Sequence, residues 1–225
     1  MQTTIIIPIF NESSIIEKNT EKLISFLRNK KIIYELILCN NGSTDNTLKL
    51  AKSLEKKYNN IKVISIPEKG VGTVFKKAVK LAKYNNIISQ DMDLSTDLEF
   101  IPKSVKLFKK YDIVIGSKKM GSQKRSFLRK IPSAIFIFLV KIFLKLPYND
   151  YSMAAKAYKK KAIIKHINKV DYGTSYVIDL IYYAKKDNGK IIEIPVKCID
   201  KRKSRFNILH ESLYRLKNLV KLAIK

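Results

Sequence analysis

In the first half of the chain, short apolar runs alternate with stretches whose apolar residues recur at helical spacing. Thr3 to Ile9 (Thr-Thr-Ile-Ile-Ile-Pro-Ile) predicts a buried parallel strand ending at Pro8. Asn11-Glu12-Ser13-Ser14 opens a helix, with Ser14 and Glu17 at capping-box spacing and Ile16, Leu23 and Leu27 on one apolar face. Glu35 to Cys39 predicts a second strand, ending in the polar turn Asn40-Asn41-Gly42-Ser43-Thr44-Asp45. Leu48, Ala51, Leu54 and Tyr58 form the stripe of the helix that follows. Ile61 to Ile66 predicts a third strand. The loop Glu68-Lys69-Gly70-Val71-Gly72-Thr73 then feeds a helix with Phe75, Ala78, Val79 and Ala82 inward. Asn86 to Gln90 predicts a fourth strand, a helix starts near Pro102, a comfortable first helical residue, and Asp112 to Gly116 predicts a fifth strand.

Alternation of this regularity predicts an α/β fold, a mostly parallel central sheet flanked by helices. Such sheets bind ligands beyond the carboxyl ends of their strands. Asn11-Glu12, Asn40 to Asp45, Lys69 to Gly72 and Asp91 to Asp93 all fall at those ends, so four polar loops converge on one edge.

The pattern changes after Gly116. Ser117 to Lys130 is basic and irregular, and Ile131 to Leu146 is apolar almost all round, with Lys141 and Lys145 on one stripe. At about 1.5 Å per residue this helix is too short for a hydrocarbon core of roughly 30 Å. Two readings stand for it: an interfacial helix with basic flanks on anionic lipid, or a buried helix on the sheet. Tyr151 to Lys161 and Lys190 to Asp200 predict further strands or hairpin segments, with a helix near Val177 to Lys186 between them. Lys201-Arg202-Lys203-Ser204-Arg205 is a dense basic loop, and Leu209, Leu213, Leu216, Val220 and Ala223 repeat at helical spacing in a basic tail.

Asp91-Met92-Asp93 is the first candidate chemistry. On a continuing strand, residues two apart point to the same side, so both carboxylates would face one ligand. Two hard oxygen ligands on one face suit Mg²⁺ or Mn²⁺, which normally arrive carrying a diphosphate. An acidic surface turn has the same spacing; the other loops at this edge tip the balance towards a ligand.

Charge sharpens the picture. Lys and Arg number 45 against 19 Asp and Glu, a formal +26 over 225 residues. The excess implies an anionic partner: nucleic acid, an anionic membrane surface or a phosphorylated substrate. No nucleic acid is expected, because no aromatic-interleaved basic motif or zinc spacing accompanies the charge. Cys39 and Cys198 sit in apolar runs, as buried free thiols do, and His166 and His210 lack ligand spacing. Ile5 to Ile9 is too short for a signal peptide and is interrupted by Pro8.

From about residue 3 to 207 the chain resembles family 2 glycosyltransferases, and within them the polyprenyl-phosphate (dolichyl-phosphate) mannose and glucose synthases. Ile7-Pro8-Ile9-Phe10-Asn11-Glu12 is similar to the family's opening nucleotide-binding motif, and Asn41-Gly42-Ser43-Thr44-Asp45-Asn46-Thr47 to its second-strand turn. Lys69-Gly70-Val71-Gly72 resembles its basic glycine loop, and Asp91-Met92-Asp93-Leu94-Ser95-Thr96-Asp97-Leu98 its metal-binding signature. Ile115-Gly116-Ser117-Lys118, Lys156-Ala157-Tyr158, and Glu193-Ile194-Pro195-Val196 with Arg202, Ser204 and Arg205 resemble later landmarks.

The resemblance implies a single GT-A type nucleotide-sugar-binding domain over 1–207, with a nucleotide-binding half of about 1–117 and an acceptor-side half of about 118–207. Residues 208–225 would form a basic amphipathic C-terminal helix. It further implies a GDP- or UDP-hexose donor, a divalent metal (Mg²⁺ or Mn²⁺) on Asp91 and Asp93, and inversion at the anomeric carbon. Pro8, Phe10, Glu12, Asn41, Lys69 and Asp91 would bind the donor, Asp93 would act in catalysis, and Arg202, Ser204 and Arg205 would hold an acceptor phosphate. The family usually has acidic residues where this chain has Asn40 and Asn41, and some mannosyl synthases carry Gln where it has Ser95. Those departures leave the nucleotide and the sugar open.

A hydroxyl acceptor needs a carboxylate to take its proton, whereas a lipid phosphate is already anionic. Asp179 falls where family members often have an acidic residue and is the base candidate. The basic loops, the apolar segment and the basic tail favour polyprenyl phosphate as acceptor, with peripheral attachment to the cytoplasmic side of the cell membrane. The alternative is transfer to a sugar hydroxyl in surface-glycan or lipid-linked oligosaccharide assembly.

Overall fold

The computed structural model describes residues 2–124, 127–199 and 208–224. β1 (Gln2–Ile9), β2 (Ile33–Asn41), β3 (Ile61–Ile66) and β4 (Asn86–Ser89) alternate with α1 (Ile16–Asn29), α2 (Thr47–Lys57) and α3 (Val71–Leu81). Then come α4 (Phe100–Leu107), β5 (Ile113–Lys124), α5 (Phe127–Leu144), β6 (Lys156–Lys159) and the short α6 (Lys160–Ile163). α7 (Tyr176–Lys186), β7 (Ile191–Ile199) and α8 (Ile208–Ala223) complete the described chain. Among the described residues the strands form one seven-stranded sheet in the order β3-β2-β1-β4-β6-β5-β7. β6 runs antiparallel to β4 and β5, and the other pairings are parallel.

Side chains alternate across the pleat, so one apolar run feeds two cores. Ile6, Ile37, Cys39 and Tyr158 pack with Phe75 of α3, Val140 of α5, Leu180 of α7 and Leu219 of α8. Ile5, Ile7, Leu36, Leu38 and Ile88 pack on the other face with Leu23 of α1, Leu54 of α2 and Phe100 of α4. Helices on both faces explain why β1 and β2 are apolar at nearly every position.

Several local expectations change. The Ser14–Glu17 capping box does not form: α1 starts at Ile16 with no side-chain cap, and the Glu12 carbonyl accepts the Ile15 and Ile16 N–H groups at 3.0 Å. A backbone turn satisfies the donors that enter the helix there. α4 begins at Phe100, so Pro102 is its third residue; this is still within the first turn, where N–H groups have no helical partner to lose. β5 continues to Lys124 instead of ending at Gly116. Its polar end pairs with β7 through the backbone, across a register shift between Ser117 and Ser122. Backbone pairing needs no apolar alternation, so side-chain pattern does not reveal it.

In the apolar segment the buried-helix reading holds for one stripe only. Ile137, Val140 and Leu144 of α5 are buried, while Ile131, Ile135, Phe138 and Ile142 are exposed, Phe138 at 61%. One stripe seats the helix on the sheet and a second faces solvent. α8 packs beside α5 and repeats the arrangement. Leu219 and Leu222 are buried; Leu213, Leu216 and Val220, with Ile224 just beyond, are exposed. No helix among the described residues is long and apolar enough to cross a membrane.

Candidate active site

The carboxyl ends of β1 to β4 meet at one sheet edge, and hydrogen bonds lace their loops together. Asn11 adopts a left-handed φ of 54°. Its N–H donates to Ser43 Oγ at 3.1 Å, and Thr44 N–H donates to Asn11 Oδ1 at 2.8 Å. Glu12, buried, donates its N–H to Thr47 Oγ1 at 2.7 Å. Asp45 accepts the N–H groups of Ser13 and Thr47. Partial loss of water opposes its ionisation, yet these hydrogen bonds outweigh that and hold the carboxyl at about 2.

Asn41 Oδ1 accepts the Gly70 N–H at 2.6 Å and so ties the β2 turn to the glycine loop. Lys69 Nζ lies 4.4 Å from the centre of the Phe10 ring, within cation–π range. Pro8 pairs with Cys39 next to this edge. The donor-binding candidates Pro8, Phe10, Glu12, Asn41 and Lys69 therefore fall on the connected strand ends and loops of one edge.

β4 ends at Ser89, so Asp91 and Asp93 sit in a turn rather than on a continuing strand. Leu94 takes a φ of 50°, and its N–H donates to the Asp91 carbonyl at 3.2 Å. Asp93 Oδ1 accepts the Ser95 N–H at 3.0 Å, and Asn19 Nδ2 pins the Met92 carbonyl at 3.0 Å. The turn, not the pleat, brings the carboxylates together. Burial first, and then the Asp93 charge, push the Asp91 carboxyl up to about 6, against the pull of Lys118, the Ala154 N–H and Lys156.

Two crowded carboxylates with hard oxygen atoms fit a divalent cation such as Mg²⁺ or Mn²⁺. Among the described residues no group of three or more His, Cys, Asp or Glu side chains could hold a metal. A Mg²⁺ ion usually takes its remaining ligands from a diphosphate and water.

Sequence reasoning missed the buried charges beside this turn as site residues. Lys156 pairs with Ser89 and Ile115 in the sheet and is 0% exposed. Its Nζ donates to the Met153 and Gly116 carbonyls at 3.1 and 3.3 Å and lies 3.8 Å from Asp150. Lys118, 6% exposed, donates to Ser152 Oγ at 2.8 Å and lies 3.5 Å from Asp150. Burial pushes Lys156 down to about 8, with Asp150 resisting. Burial also opposes ionisation of Asp150, but the two lysines outweigh it and hold the carboxyl below its usual range. One carboxylate thus answers two ammonium groups, and both act on Asp91. The available signal was a lysine inside the run Ala154-Ala155-Lys156-Ala157-Tyr158, because a charge is buried only when it is paired.

Asp179 is the fourth residue of α7 and 8% exposed; its Oδ2 accepts the Asp171 N–H at 2.6 Å. Burial chiefly, and in part the Asp91 charge, raise the phenol of Tyr176 at the start of the same helix, which places that start near the acidic turn. Arg202, Ser204 and Arg205 lie outside the described residues. The strand leading to them is tied to the turn after Asp93: Thr96 bridges Cys198, and Ile199 N–H donates to the Ser95 carbonyl at 2.8 Å.

Comparison with known proteins finds a family and a fold. Residues 4–167 match the pattern of Glycosyl transferase family 2. Glycosyltransferase AglD from Haloferax volcanii is 24% identical over 223 residues, covering 95% of this chain and 35% of that protein. A dolichol-phosphate mannosyltransferase from Pyrococcus furiosus is 28% identical over 203 residues, covering 87% of this chain and 56% of that protein. The chain thus spans between about a third and just over half the length of these relatives. Glucosyl-3-phosphoglycerate synthase from Mycobacterium tuberculosis, solved with Mn²⁺, UDP and phosphoglyceric acid, superposes with a TM-score of 0.72 at 15% identity, over 99% of this chain and 78% of that one. That likeness shows a shared GT-A fold.

Proposed function

Because the chain belongs to glycosyl transferase family 2, we propose that it moves a hexose from a nucleotide-diphosphate sugar to polyprenyl phosphate at the cytoplasmic side of the cell membrane. The observation that carries this reading is the meeting of Asp91 and Asp93 with Lys118 and Lys156, on the edge that also holds Phe10, Asn41 and Lys69. In the reaction an acceptor phosphate oxygen attacks the anomeric carbon. The bond to the nucleotide diphosphate breaks, and the diphosphate leaves with the electron pair. The acceptor is already anionic, so no base is required. Asp91 and Asp93 would hold the metal, which when bound neutralises charge on the departing diphosphate. Lys69, Lys118 and Lys156 add fixed positive charge where negative charge develops.

The apolar stripes of α5 and α8 support the membrane location, together with the +26 charge. The name of the Pyrococcus relative specifies dolichol phosphate, and the Mycobacterium structure contains UDP and Mn²⁺. The test is transfer from a panel of radiolabelled nucleotide sugars, with Mg²⁺ or Mn²⁺, into an organic-extractable product when polyprenyl phosphate is supplied. A metal-dependent, acid-labile lipid product that falls at least roughly a hundredfold in Asp93→Asn is the expected result. Label moved only to added glycans would refute the lipid acceptor and make Asp179 the base to examine.

A further inference from the structure

α8 reaches the donor side of the site through a polar inner edge. Its target is Asp171, in the loop before α7. Tyr214 donates its O–H to both carboxylate oxygens of Asp171 at 2.7 Å, and Asn218 Nδ2 donates to Oδ1 at 3.4 Å. Burial and the Asp171 charge keep the Tyr214 phenol protonated, so it is the donor. The same carboxylate accepts the Gly173 N–H at 2.9 Å and the Ser175 N–H at 3.2 Å, which winds the loop around it. A second tie runs from the Thr174 hydroxyl to Glu211, itself paired with Arg215 at 2.8 Å.

On its far side this loop presses against the start of α3. Thr73 N–H donates to the Tyr172 carbonyl at 3.0 Å, and Lys76 Nζ to the Val170 carbonyl at 3.0 Å. Gly72 approaches so closely that a Cβ there would overlap the Asp171 carbonyl. α3 follows directly on Gly70, whose N–H is held by Asn41. One loop therefore touches α8 and the first turn of α3 at once.

We propose that Tyr214 and Asp171 are positioning residues for the donor side of the site. They clamp loop 171–175 against the start of α3 and hold the Gly70–Thr73 turn where a nucleotide diphosphate lies. α8 is on this view part of the site's scaffold. The donor role rests on the nucleotide-sugar reading given above; the clamp itself does not.

Tyr214→Phe keeps the ring and its edge contact with Tyr172 at 5.9 Å and removes only the hydroxyl. Without ligand, hydrogen–deuterium exchange at amides 70–76 is expected to quicken roughly tenfold while Tm stays within about 3 °C. In calorimetric titration with UDP or GDP plus Mn²⁺, affinity is expected to fall about tenfold, with kcat at saturating donor nearly unchanged. Gly173→Ala drives a methyl group into the Tyr214 hydroxyl and should weaken binding likewise. Unchanged exchange at 70–76 in Tyr214→Phe overturns the clamp. Faster exchange with unaltered nucleotide affinity overturns its donor role. Failure of the unaltered chain to bind either nucleotide overturns the donor reading instead, and the exchange result still decides the clamp.

Discussion

Lys156 shows at the residue scale how this site accommodates buried charge. Its ammonium is fully buried and answered by Asp150, two backbone carbonyls and the acidic turn nearby. Lys156→Met leaves Asp150 paired with Lys118 but takes the partner from two buried carbonyls, so it should destabilise by about 1–3 kcal/mol in urea unfolding. Glu35 makes a separate prediction. It is buried and accepts Thr4 Oγ1 at 2.9 Å, Lys83 N–H at 2.9 Å and Lys62 Nζ at 3.0 Å. Burial opposes its ionisation, but these partners outweigh burial and lower its carboxyl below the usual value. A lowered folded value stabilises fully above the unfolded value of about 4.3, and the contribution is lost as pH falls through the folded value. Glu35→Gln should therefore cost about 1–2 kcal/mol at pH 7, with the gap from the unaltered protein closing below roughly pH 4.

At the element scale, α5 and α8 each carry two apolar faces with separate consequences. The inner face belongs to the core: Leu219→Ala should cost about 2–4 kcal/mol by thermal or chemical unfolding. The outer face is exposed, so Phe138→Glu with Ile142→Glu should leave Tm within about 3 °C. The same pair should reduce co-sedimentation with anionic vesicles by roughly tenfold or more, because it removes apolar area and adds negative charge. Vesicle binding that survives both changes would locate the lipid contact elsewhere. Hydrophobic pattern found both helices but not their division into faces. In α5, buried and exposed stripes are equally apolar, and only contact with the sheet distinguishes Val140 from Phe138.

At the scale of the whole molecule, the +26 charge acts as a field as well as a set of contacts. Ionic screening shortens to about 3 Å at 1 M salt, from about 8 Å at physiological ionic strength. Binding to anionic vesicles should therefore fall steeply between about 0.1 and 0.5 M NaCl, while the residual set by the apolar stripes persists. A salt-insensitive association would argue that the charge serves some other partner.

Much of this organisation was legible in the sequence. The strands β1 to β4, the helices between them and the convergence of four polar loops follow from apolar runs, helical spacing and glycine placement, because burial on both faces leaves a parallel strand little choice of residue. The motifs from Ile7 to Leu98 point to the family for the same reason: loops at strand ends must carry particular residues to meet a nucleotide diphosphate. Tertiary structure decided the rest. It ended β4 before Asp91, so a turn rather than a pleat brings the two carboxylates together. It carried β5 on to Lys124 through backbone pairing that leaves no side-chain pattern. It gathered Lys118, Asp150 and Lys156 beside the acidic turn, and Tyr214 against Asp171, from segments far apart along the chain. Local sequence records which side chains a strand or helix can bury; which charge ends up beside which depends on how distant segments pack, and only the folded chain decides that.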